Sequence, residues 1–167
     1  MAPLLGPVEV LFSLCSPFIA PRLLTASLRL CGLRMGRTSA FWGIPRFSGG
    51  IDCLSRLRIG EACGFNFGCH FDLSGEISID DDVSVGHQVT FLTQCYDTTN
   101  PNQRGIPKES KPLRIEKGAR LGARCIVLPG VTIGAGSVIA AQTIVRENVA
   151  PNLLITGNRR ISIAKWR

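Results

Sequence analysis

Aromatic side chains are scarce in this 167-residue chain: they make up 7% of it, and only one is a tyrosine. That excludes a core built chiefly on stacked rings and leaves Val, Ile, Leu, Ala and Cys to fill it, a set better suited to strands than to a helical bundle. Acidic residues are few, 12 against 19 lysines and arginines, and the resulting charge of +7 favours anionic partners. Apart from Arg159 and Arg160 the basic residues stand singly with few aromatics beside them, so a nucleic-acid surface is not expected. A long apolar run is also missing. Pro3, Pro7, Pro17 and Pro21 cut the apolar N-terminus into pieces too short to span a bilayer, and it lacks the basic start of a signal peptide. There are seven cysteines but no CxxC pair. An odd count without metal-like spacing points to reduced thiols in a cytoplasmic protein.

What the sequence does contain is a repeat. From Leu113 it divides into LR, IEKGAR, LGARCI, VLPGVT, IGAGSV, IAAQTI and VRENVA, with Ile115, Leu121, Val127, Ile133, Ile139 and Val145 opening successive hexads. Upstream the same phase gives IGEACG, FNFGCH, then FDLSGEIS with two extra residues, IDDDVS and VGHQVT. The fifth positions are all small, among them Cys63, Cys69, Val83, Ala119, Cys125 and Ser137. A period of six excludes an amphipathic helix, whose stripe repeats at three and four. It predicts a parallel β-helix, in which short strands wind as a solenoid and stack coil on coil. Cys63, Cys69 and Cys125 then read as core spacers. Gly60, Gly86, Gly122 and Gly134 at second positions suit corners that need room or a positive φ.

Three segments leave the beat. Residues 1–34 place Leu23, Leu24, Leu28 and Cys31 at roughly helical spacing, which predicts a short helix capping the open solenoid; the alternative is an interfacial helix making peripheral contact with anionic lipid. Residues 35–58 read as an irregular first coil. Between Phe91 and the next hexads, residues 92–112 form a polar excursion, and the chain closes in a basic tail with room for one more strand.

The hexads, the excursion after VGHQVTFLT, the LPGVTIG run and the closing ITGN resemble the hexapeptide-repeat acyltransferases, in particular the branch of maltose, galactoside and colanic-acid O-acetyltransferases. The resemblance covers roughly residues 59–158. It implies an all-β, left-handed parallel β-helix, a homotrimer, and acetyl-CoA in the groove between adjacent subunits. The implied reaction is transfer of an acetyl group to a sugar or surface-glycan precursor. The excursion becomes the catalytic loop, whose usual histidine takes a proton from the attacking hydroxyl or amine.

Here Tyr96 stands where that histidine is expected. Three readings follow. His87, in the hexad directly before the loop, supplies the imidazole; or Tyr96 or Cys95 takes part directly with Asp97 orienting it; or the site works by positioning alone. A catalytically weakened β-helix retained for binding or assembly is the rival reading. Asn66 matches an acceptor-binding asparagine, and Ala123 and Ala141 match positions whose backbone lines the pantetheine arm. Arg146, Arg159 and Arg160 lie where the family holds the nucleotide phosphates. With only His70 and His87 available, the three-histidine zinc site of carbonic anhydrases of this fold is not expected.

Overall fold

The computed structural model describes residues 21–50, 52–96, 105–157 and 159–162. Asp97 lies outside them, as do residues 1–20 and hence most of the segment considered for lipid contact.

The chain is a left-handed parallel β-helix with three faces. One face stacks Arg34–Met35, Leu57–Ile59, Ile77–Ile79, Leu113–Ile115 and Thr132–Ile133. A second stacks Ala40–Phe41, Gly64–Phe65, Ser84–Val85, Arg120–Leu121, Val138–Ile139 and Leu153–Thr156, with Arg159–Ser162 folding back antiparallel on the last. The third stacks Arg46–Ser48, His70–Asp72, Thr90–Phe91, Ile126–Val127 and Ile144–Val145. Three hexads make one coil, so Ile115 lies on Ile133, Leu121 on Ile139 and Val127 on Val145. All six are buried, as are the small fifth-position residues from Cys63 to Val149. Large and small side chains alternate inward because a strand of two or three residues offers room for one large residue, and the corner that follows it for one small residue.

The corner glycines need room, not a special φ. A Cβ on Gly122 would stand 2.4 Å from the Ala141 nitrogen, and one on Gly86 would stand 2.6 Å from the Ala123 nitrogen. Positive φ falls two positions later, where Ala62, Asp82, Gln88, Arg124 and Gln142 adopt it between 55° and 60°.

Two expectations need correction. The core is not purely aliphatic: Phe41, Phe65, Phe71 and Phe91 are fully buried in the N-terminal half, with Phe71 stacked on Phe91 at 4.9 Å between centroids. Scarce aromatics fill a core when they are gathered in one place. Residues 35–58 are not irregular throughout either. Met35 and Phe41 open two ordinary hexads and Phe47 sits in the strand that follows; only the stretch after Ser48, with its short 3-10 turn Cys53–Arg56, leaves the register.

The open N-terminal end is closed by one helix, α1 (Pro21–Leu30). Pro21 suits a first helical position, and Gly32, at φ +101°, ends the turn while Leu33 N–H donates back to Leu28 O. Leu24 and Leu28 join the core. The Thr25 hydroxyl accepts from Phe41 N–H at 3.1 Å, and the Arg29 guanidinium donates to the Met35, Gly36 and Ser39 carbonyls. These bonds satisfy the backbone that the first coil would otherwise leave unpaired. Leu23 and Leu30 face outward, 64% and 85% exposed. Among the described residues no helix is long and apolar enough to cross a membrane.

Candidate active site

Where the second face turns into the third, successive coils superpose their corner residues through backbone bonds: Asn66 N–H to Val85 O, Gly86 N–H to Leu121 O, and Gly122 N–H to Ile139 O. Asn66, His87, Ala123 and Ala141 therefore share one edge of the prism, all four exposed or half-exposed, with Gly86 and Gly122 letting the coils close up. His87 is exposed, and its ring meets the Phe67 ring edge-on at 4.4 Å. Phe67 is 41% exposed and Trp42, one coil earlier, 53%. Asn66 donates to Val85 O at 3.3 Å through its amide nitrogen. This edge is thus a rigid line of one imidazole, one amide and two exposed rings, with small residues further along.

Tyr96 is elsewhere. It ends the strand Gln94–Tyr96, which pairs antiparallel with Pro107–Ser110 and leaves the solenoid where the third face turns into the first. The phenol is 52% exposed and Cys95 half-buried. Within one chain the third face separates Tyr96 from His87, so the fold does not bring the two proposed proton acceptors onto one edge.

The base of this ribbon is held by Asp72 and Thr93. Both are buried. Asp72 Oδ2 accepts from Thr93 N–H at 2.9 Å and Gln94 N–H at 2.8 Å, and Oδ1 accepts from the Ser74 hydroxyl at 2.7 Å and Ser74 N–H at 3.1 Å. Burial by itself raises the pKa of this carboxyl. The four hydrogen bonds outweigh that and hold it below the usual carboxylate value.

At the C-terminal end, Arg146 and Arg160 line a cavity of about 180 Å³ with Ile144, Glu147, Ile155 and Gly157. Arg160 pairs with Glu147 at 2.9 Å, while Arg159 is exposed on the final strand. The buried thiols have structural partners. The thiols of Cys63, Cys69 and Cys125 each reach a carbonyl of the next coil, and burial pushes Cys69 up to about 11, far from a reactive thiolate. Among the described residues no group of three His, Cys, Asp or Glu side chains gathers in a metal-like cluster.

Comparison with known proteins bears on this geometry. Residues 112–146 match the family described as "Hexapeptide repeat of succinyl-transferase". A putative acetyltransferase of Schizosaccharomyces pombe is 33% identical over 109 residues, 65% of this chain and 53% of that protein. The galactoside O-acetyltransferase of Escherichia coli is 30% identical over 103 residues, 62% and 51% respectively. The chain carries hexapeptide repeats and shares its fold with hexapeptide-repeat acetyltransferases. It spans about half the length of the curated relatives it matches.

Among solved structures, a hexapeptide-repeat acetyltransferase of Vibrio cholerae superposes with a TM-score of 0.79 at 24% identity, covering 93% of this chain and 86% of that one. A galactoside acetyltransferase in complex with coenzyme A superposes at 0.77 and 25% identity, covering 93% and 76%. Sequence reasoning on this hexapeptide-repeat chain missed Asp72, Phe67 and Trp42. The two surplus residues beside Asp72 were the available signal for the first; nothing in the hexad phase distinguishes an exposed ring from any other corner residue.

Proposed function

We propose that this chain transfers an acyl group, acetyl in the simplest case, from acyl-CoA to a hydroxyl or amine of a sugar or surface-glycan precursor. The observation that carries the reading is the single edge holding Asn66, His87, Ala123 and Ala141 in line, the relatives' names and one neighbour's bound coenzyme A being consistent with it. The residues present fit an acyl-CoA. Small side chains on exposed corners allow an extended thioester arm to lie against backbone, and Arg146, Arg159 and Arg160 supply cations for phosphates. Glu147 on Arg160 would then be displaced or shared.

In this reading His87 is the base. It accepts the proton of the acceptor hydroxyl as the oxygen attacks the thioester carbonyl; the tetrahedral adduct then expels the CoA thiolate, which takes up a proton. An imidazole is available for this at neutral pH, whereas an ordinary phenol is not. The edge-on contact with Phe67 limits the ring's rotation, and Asn66 offers its carbonyl oxygen to an acceptor hydroxyl. Tyr96 and His87 emerge on different edges, and a loop reaching the His87 edge from a neighbouring copy is in keeping with this reading's homotrimer, placed in the cytoplasm where acyl-CoA is found. Asp97 follows Tyr96 into this loop as the orienting group.

The test is CoA release from acetyl-CoA against a panel of sugars and small amines. His87→Ala is expected to lower kcat about a hundredfold or more, and Tyr96→Phe to change it little. Turnover that survives His87→Ala overturns the assignment of the base. A native chain that releases no CoA, with activity appearing in Tyr96→His, supports the rival reading of a weakened enzyme kept for binding or assembly, which the tyrosine at that position favours.

A further inference from the structure

Two of the irregularities that break the hexad register, the surplus residues of FDLSGEIS and the loop after Thr93, are set against each other by the fold. Thr93, which has no exposed surface, donates its hydroxyl proton to Asp72 O at 2.7 Å and accepts from Gly75 N–H at 2.8 Å. Its carbonyl accepts from Lys111 N–H at 2.8 Å where the loop returns. A Cβ on Gly75 would stand 3.1 Å from Thr93 Cβ and 3.2 Å from Ser110 Cβ, so the surplus residues fit closely between the outgoing and returning strands. Asp72 meanwhile spends one carboxylate oxygen on Ser74 and the other on the first two amides of the loop.

We propose that Asp72 and Thr93 are positioning residues: a buried clamp, accommodated by the two surplus residues, that fixes the direction in which the Gln94–Tyr96 and Pro107–Ser110 ribbon leaves the solenoid and thereby the place of Tyr96. That this placement matters for acyl transfer rests on the function proposed above. A plain hexad corner would satisfy its own backbone and leave the first loop amides to water. Here a carboxylate, the strongest acceptor available, takes both amides at once, and the register Gln94 to Ser110 and Cys95 to Glu109 carries the fixed direction outward.

Tyr96 is the sole tyrosine of the chain, so incorporation of 3-fluorotyrosine gives a single 19F signal from the loop. In the full-length protein this signal is expected to be sharp. Thr93→Val should shift or broaden it and accelerate amide exchange at Gln94 roughly tenfold to a hundredfold, while Thr93→Ser, which keeps the hydroxyl, should behave as the native chain. Asp72→Asn should act as Thr93→Val does, and because the valine variant preserves shape, its result stands even where the asparagine variant folds poorly. In the CoA-release assay, kcat should fall with KM for acetyl-CoA unchanged, because the clamp sets the course of the whole ribbon and not the Tyr96 hydroxyl alone. An unmoved 19F signal with native exchange in Thr93→Val and Asp72→Asn, or a serine variant that behaves like valine, overturns the clamp. A native chain that releases no CoA overturns the proposed function instead, and the NMR and exchange results still decide the clamp.

Discussion

Asp72 shows how one side chain couples the solenoid to its excursion. Its folded pKa lies below the value of a free carboxyl, so it binds fewer protons than in the unfolded chain and stabilises the fold above the ordinary carboxyl value of about 4. That contribution is lost as the pH falls through the folded value. The melting temperature of the native chain should therefore exceed that of Asp72→Asn by a constant margin between pH 5 and 8, and the margin should shrink below about pH 4. A margin that persists unchanged at pH 3 would show that the carboxylate charge is not what the amides use. Cys69 gives the opposite case. Its buried thiol, pushed up to about 11, stays protonated at neutral pH, so thiol reagents should modify it only on unfolding. Its role as a small spacer was legible from the hexad phase; the role of Asp72 was not, because a hexad assigns every residue a face and says nothing about a coil two residues too long.

At the scale of the element, the coil is set by its corners. The Gly122 and Gly86 positions carry backbone of the next coil within 3 Å of where a Cβ would stand, so the stacking distance is incompatible with a side chain there. Gly122→Ala is expected to cost about 1–3 kcal/mol or more of stability by forcing coils apart, read as a lower denaturant midpoint with an unchanged slope. Gln142→Gly, at a positive φ of 60°, is expected to be neutral or slightly stabilising, since the strain of the left-handed conformation is relieved. The contrast separates two uses of a corner that the sequence alone left open. Helix α1 depends in the same way on its surroundings: ten residues are too few to be stable alone, and Leu24, Leu28, Thr25 and Arg29 tie it to the first coil.

For the whole molecule, the arrangement of edges is decisive. Sedimentation velocity should find three copies together if the site is shared, and mixing His87→Ala chains with chains whose loop carries the Thr93→Val defect should restore some turnover in mixed trimers; strictly monomeric behaviour with full activity would confine the site to one chain. The sequence by itself determined the period, and with it the fold, since alternating large and small residues every six positions can be buried only by stacking short strands into a solenoid. It also placed the excursion and named His87, Asn66, Ala123 and Ala141. Only the tertiary structure decided which of these meet. Phase along the chain assigns residues to a coil position, but the superposition of coils gathers His87 with Asn66 and sends Tyr96 out from another edge. The clustering of the few phenylalanines and the clamp at Asp72 were likewise settled there, because both depend on which coil lies above which.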